Sequence, residues 1–156
     1  MLVYYVISYC LYNRSVNSKK MNKKLFLYKY IHKRTIGVLA TISSDGQPEA
    51  AVMEFGDTKN LELIFDTQKT SRKYNNLKHN PHVEFVIGWE NMTTVQYEGI
   101  AKELIGRELG KYKKIMFSKN ADFAKWENIP EMTYFKVTPL WIRYSTMDQE
   151  PWEIAF

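Results

Sequence analysis

The chain is poor in cysteine, glycine and proline, and it has no apolar run long enough to cross a bilayer. Its single cysteine, Cys10, among 156 residues excludes an intramolecular disulfide and suits a reducing compartment, so a cytoplasmic location is expected. Seven glycines and five prolines are too few for a low-complexity or disordered chain. The apolar stretch "LVYYVISYCLY" is eleven residues long, short of the roughly 20 needed to span a membrane. No basic segment precedes it and no small-residue cleavage site follows it, so it fits a secretory signal poorly.

Catalytic motifs are missing as well. The three histidines, His32, His79 and His82, are not spaced as a metal cluster, and there is no HExxH, paired CxxC or G-x-S-x-G. No metal site is expected and no catalytic residue is assigned. His79 and His82 flank Asn80-Pro81 and read as solvated turn residues. Carboxylates such as Glu103 and Glu108 fall at apparent element ends. An enzyme built on this chain would borrow its chemistry from a cofactor.

What is present is an ordinary globular composition: 45% hydrophobic, 25% charged and 15% aromatic residues. At this length one domain with a real core is expected. The net charge of +5 is spread over Lys19-Lys20, Lys23-Lys24, Lys33-Arg34, Arg72-Lys73 and Lys113-Lys114. No helix-turn-helix, zinc or RNP-type signature accompanies them, so they read as solvated faces and no nucleic-acid or membrane partner is expected. Residues 1–20 read as an N-terminal extension of unknown role, of the kind an upstream start adds, with an added strand or a partner-binding segment as the competing reading and the folded domain at 21–156.

Helical spacing of Leu25, Tyr28 and Ile31, with Leu27 alongside, predicts a helix between Met21 and Arg34. "TIGVLATIS" and "EAAVMEF" alternate with period two around "SSDGQP", a hairpin signal whose Asp45-Gly46 tolerates positive φ. After the turn "GDTKN", "LELIFDT" is a third strand and Thr70–Asn80 a short helix closed by Pro81. "HVEFVIGW" and "TTVQYEGIAKEL" are strands. Ile105, Leu109, Tyr112 and Met116 then mark a helix. "MTYFKVTPLWIRYS" is a sixth strand, with Pro139 placing it at an edge or a bulge. Six strands joined mostly by tight turns, without β-α-β alternation, predict a mainly β fold: an antiparallel barrel flanked by short helices.

Thr70-Ser71-Arg72-Lys73 stands out. Ser or Thr before a short helix is a good N-cap, and the first turn exposes free N–H groups. Basic residues there oppose the helix dipole by roughly 0.3–1 kcal/mol each when exposed. A bound phosphate reverses that sign, because the cations and the amides then face an anion together. A polar loop with incidental charges is the alternative.

The stretch "IFDTQKTSRKYNNLKHNPHVEFVIGW" resembles the flavin mononucleotide (FMN) segment of the pyridoxamine 5'-phosphate oxidase-like family. An aromatic-x-Thr strand end (Phe65, Thr67) leads into a Ser-Arg-Lys helix start (Ser71, Arg72, Lys73), and Asn80-Pro81-x-Val83 opens the next strand. The resemblance runs from about Lys24 to Ser145. It implies a six-stranded split β-barrel that forms a homodimer with FMN in the dimer crevice, acting as an oxidoreductase at flavin N5 on an unknown small-molecule substrate. Carried over, Arg72 and Lys73 hold the phosphate, helped by Ser71 and the amides near Thr70. Asp66 and Thr67 lie along the isoalloxazine or ribityl chain, and Val52, Met53 and Glu54 offer backbone groups to the ring edge. Thr94 stands where vitamin-processing members carry a glutamine near the flavin.

Two departures from the vitamin oxidases steer the resemblance toward short, general-stress-type members. Their phosphate-gripping arginine after Gly-x-Pro is replaced by Ala51, and no arginine follows Arg143. A non-catalytic barrel holding haem, a deazaflavin or another ligand is the second reading. Trp89 and Trp141 read as core or interface, and Trp152 as a residue of a tail able to cover a flavin.

Overall fold

Asn22 starts the first helix: its side chain accepts a hydrogen bond from the Leu25 amide at 3.0 Å, and α1 runs Lys23–His32. The computed structural model describes residues 21–156, so the extension assigned to residues 1–20 lies outside the described residues. Helix α1 buries Leu27 and Ile31, one turn apart, and leaves Leu25 48% exposed. Its inward stripe is therefore displaced from the expected Leu25–Tyr28–Ile31 line.

Strands β1 (Ile36–Ile42) and β2 (Pro48–Glu54) form the expected hairpin, with Gly46 at φ +83° in the turn. That backbone region is open to glycine at no steric penalty. The segment expected as a plain turn begins with a two-residue strand, β3 (Gly56–Asp57), paired to β4 (Leu63–Gln68). Helix α2 (Arg72–His79), β5 (His82–Ile87), β6 (Thr94–Glu103) and α3 (Gly106–Lys119) follow. A 3-10 segment, Ala121–Trp126, then leads to β7 (Met132–Thr146) and β8 (Gln149–Ala155).

All pairings are antiparallel, in the order β2-β1-β5-β6-β7-β4-β3. Eight strands replace the expected six; β3 and β8 are the additions. β7 pairs β6 along one edge, while its other edge pairs β4 in the first half and β8 in the second. Two strands thus diverge from one, which opens the sheet as a split barrel.

Pro139 sits at a bulge, as its missing N–H requires, though on a central strand rather than at an edge. Gly99 lies opposite it, and a Cβ there would stand 2.6 Å from Val137 Cγ1 and 2.7 Å from the Thr138 carbonyl oxygen.

The barrel interior is filled by Leu39, Phe55, Phe65, Phe85, Tyr97 and Phe135, with Phe65 and Phe135 stacked at 5.5 Å between centroids. A second cluster on the outer side of β4 and β7, comprising Ile64, Leu104, Tyr112, Met116, Phe123 and Tyr134, lies beneath α3 and the 3-10 segment. Buried Lys119 at the end of α3 meets buried Asp57 of β3 at 2.6 Å, and His32 reaches the same carboxylate at 3.1 Å. The tail containing Trp152 is strand β8, and the indole packs on Phe26 and Tyr144. No helix among the described residues is long and apolar enough to cross a membrane.

Candidate ligand cleft between β2, β4 and α2

Ser71 begins α2 by local chemistry. Its Oγ accepts from the Tyr74 amide at 3.2 Å and stands 2.8 Å from Thr67 Oγ1, which ties the helix start to the end of β4. Buried Asn76 fastens the helix to the β1–β2 hairpin, donating to Thr41 Oγ1 at 3.0 Å and to Glu49 Oε2 at 2.9 Å. Arg72 Nη1 donates to the other oxygen of Glu49 at 3.0 Å. Lys73, the next residue, makes no ion pair among the described residues.

Beside Lys73 lies an open cleft of about 290 Å³. β2 contributes Val52, Met53 and Glu54, β4 contributes Asp66 and Thr67, and the start of α2 contributes Ser71 and Lys73. A smaller hollow of about 100 Å³, lined by Thr41, Glu49, Ala51 and Arg72, shares Lys73 with it. The lysine therefore stands between the two spaces, and Ala51 lies where a longer side chain would fill the hollow.

Seven of the ten residues expected from sequence meet in the cleft. Three do not line it. Thr70 is exposed in the turn before α2, and Arg72 points into the hollow and its pair with Glu49. Thr94 opens β6, whose other end, Glu103, lies near Tyr74 of α2 at 3.5 Å. Ten strand residues span about 30 Å, so Thr94 is at the opposite end of the sheet. Its Oγ1 is buried with no hydrogen-bond partner among the described residues.

The structure also adds residues with no local signal. Trp126, Ile129 and Met132 fold back from beyond α3 to wall the cleft, and Trp126 Nε1 donates to Glu54 Oε2 at 3.1 Å. Their placement follows from the β4–β7 pairing, which sets Met132 opposite Gln68.

Asp66 is the electrostatic anomaly. It is 9% exposed, and its Oδ2 is buried without a hydrogen-bond partner among the described residues. Burial first, then the charge of Glu54, pushes its carboxyl up to about 6, with its own backbone amide and then Lys73 partly opposing. Across the β4–β7 pairing, the Tyr134 hydroxyl is also buried with no hydrogen-bond partner among the described residues, and burial together with Asp66 pushes it up to about 12.

A diverging antiparallel sheet, a capped short helix, and a cleft beside a lysine with no ion pair among the described residues define a split-barrel protein. The family model described as pyridoxamine 5'-phosphate oxidase matches residues 27–146, and the chain belongs to that family. No curated protein matches the chain in sequence.

Among solved structures, the chain is similar to a haem-binding protein from Mycobacterium smegmatis (TM-score 0.75, 17% identity). That match covers 86% of this chain and 59% of the other, so the chain spans about three-fifths of its length. General Stress Protein 26 from Bacillus anthracis matches with TM-score 0.66 and 23% identity over 86% of this chain and 100% of that one. HutZ, the haem storage protein from Vibrio cholerae, matches with TM-score 0.62 and 14% identity over 86% of this chain and 95% of that one. At these identities the likeness is one of fold.

Proposed function

We propose that the cleft binds FMN and that the protein is a flavoprotein oxidoreductase working on a small-molecule substrate in the cytoplasm. The observation that carries this reading is the convergence on one cleft of Lys73, the start of α2 and the apolar side chains of Val52, Met53, Trp126, Ile129 and Met132. FMN needs an anion subsite, a slot for a planar ring and polar groups along the ring edge. Lys73 with the α2 amides suits the phosphate. Met53, Trp126 and Met132 suit the ring faces, and Glu54, Asp66 and Thr67 suit the polar edge. When bound, the flavin supplies hydride or electron transfer at its N5, and the chain's residues bind, orient and exclude water.

A homodimer fits this reading. The cleft is open on one side, and its volume lies at the lower end of the roughly 300–1,000 Å³ usual for ligand sites. A second copy would complete it. Thr94, at the far end of its own sheet, could meet the flavin only from that second copy.

Haem is the alternative that two of the structural relatives raise. Haem calls for an axial ligand such as histidine, and none of the residues lining the cleft is histidine. His79 and His82 are exposed at the other end of α2. An absorbance spectrum of the purified protein separates the readings. Flavin bands released on denaturation support FMN. A Soret band after haem addition, with no flavin uptake on titration, would replace it.

A further inference from the structure

We infer that Asp66 is the proton-holding acid of the cleft: in mildly acidic solution its carboxyl sits there as a neutral acid, and with a ligand seated it donates its O–H to an acceptor atom on the edge of a planar heteroaromatic ligand. Retention of the proton in the ligand-free cleft is independent of the flavin reading, whereas the donation to a ligand rests on it.

The geometry leaves this carboxyl little alternative. Asp66 is nine-tenths buried, its Oδ2 has no donor among the described residues, and it lines the cleft rather than a closed core. A buried carboxylate oxygen without a donor is costly, and protonation is the usual relief; the backbone amide of Asp66 offsets this only in part. The charged and titratable groups that face it arrive from three elements. Glu54 on β2 repels its negative charge, Lys73 on α2 attracts it, and the Tyr134 hydroxyl on β7 is close in register but not bonded to it. Glu127, beyond the 3-10 segment, acts on Tyr134 and is itself paired with Lys113. Burial is the largest influence on the carboxyl, and repulsion from Glu54 outweighs the attraction of Lys73.

Chemically, a neutral acid and a carboxylate at this position select different ligands. The carboxylate is acceptor-only, whereas the acid offers one strong O–H donor. Carbonyl oxygens and ring nitrogens along a heteroaromatic edge are acceptors. A ligand presenting them binds the protonated form preferentially and raises the proton affinity of Asp66 further. Binding then takes up a proton, and affinity falls as pH rises through the range where the free carboxyl ionises.

The test uses the full chain, carbon-13 labelled and free of ligand, with the Asp66 carboxyl signal assigned by its loss in Asp66→Asn. A titration midpoint near 6, lowered in Glu54→Gln, supports the inference. A midpoint in the ordinary carboxylate range of about 4 overturns it.

FMN is then added as the probe. A midpoint raised by one unit or more is expected, with a tenfold fall in the ratio of wild-type to Asp66→Asn affinity between pH 5 and pH 8.5. The titration of the FMN phosphate cancels in that ratio. FMN that binds while leaving the midpoint unchanged or lowering it overturns the donation. Should FMN fail to bind at any pH, the flavin reading and the donation both fail, and the ligand-free midpoint still decides whether Asp66 holds a proton.

Discussion

Arg72 and Glu49 form an ion pair across the gap between α2 and β2, Nη1 to Oε1 at 3.0 Å. The pair changes the reading of the basic helix start. Two adjacent cations suggested a double grip on a phosphate; Glu49 pairs with one of them, and Lys73 is the one without an ion pair among the described residues.

Lys73→Ala is accordingly expected to weaken FMN binding by about 1.5–3 kcal/mol, the range for hydrogen bonds to charged groups, or roughly ten- to a hundredfold. Arg72→Ala is expected to cost less, because its guanidinium is exposed and engaged elsewhere. Fluorescence titration of both variants checks this. An arginine effect equal to or larger than the lysine effect would place the anchor in the hollow beside Ala51.

The raised carboxyl of Asp66 makes stability depend on pH in the direction opposite to an ordinary salt-bridged aspartate. Its proton is bound more tightly in the folded chain, at about 6, than at the ordinary value of 3.8. This contribution to stability is full below about pH 4 and is lost as pH rises through 6. Asp66→Asn should therefore raise the melting temperature at pH 8 and leave it nearly unchanged at pH 4. A variant destabilised at both pH values would show that the ionised carboxylate has a partner.

Gly99→Ala tests the β6–β7 bulge. The added Cβ would meet Val137 Cγ1 at 2.6 Å and the Thr138 carbonyl oxygen at 2.7 Å, and the carbonyl cannot rotate away as a side chain could. A loss of about 1–3 kcal/mol, typical of overpacking, is expected in urea unfolding. A change within 0.5 kcal/mol would mean that the bulge yields easily.

Lys119→Met tests the buried pair that pins the end of α3 to β3. Asp57, with its side chain 1% exposed, would keep its charge and lose its nearest cation. Breaking a buried pair on one side costs about 3–5 kcal/mol. The double variant Asp57→Asn with Lys119→Met should recover most of that loss. If the double variant unfolds as readily as the single, the pair's charges are not what holds the helix.

The order of the elements and most of the site were legible in the sequence, because both rest on local chemistry. Period-two runs, Asp45-Gly46 and Asn80-Pro81 specify strands and turns within a few residues of themselves. Ser71 caps α2 through a contact three residues away. Phe65-x-Thr67 and Ser71-Arg72-Lys73 are close in sequence and so remain close in space. Tertiary structure decided the rest, because it depended on which distant strands meet. The pairing of β7 with both β4 and β8 turned an apparent tail into a strand. It carried Trp126 and Met132 to the cleft and left Thr94 at the far end of the sheet. Long-range packing also set the inward face of α1 and buried Asp66 beside Glu54. Adjacency in the chain placed the lysine at the helix start; only the folded barrel turned its arginine neighbour toward Glu49 and set in the same cleft an acid whose Oδ2 has no partner among the described residues.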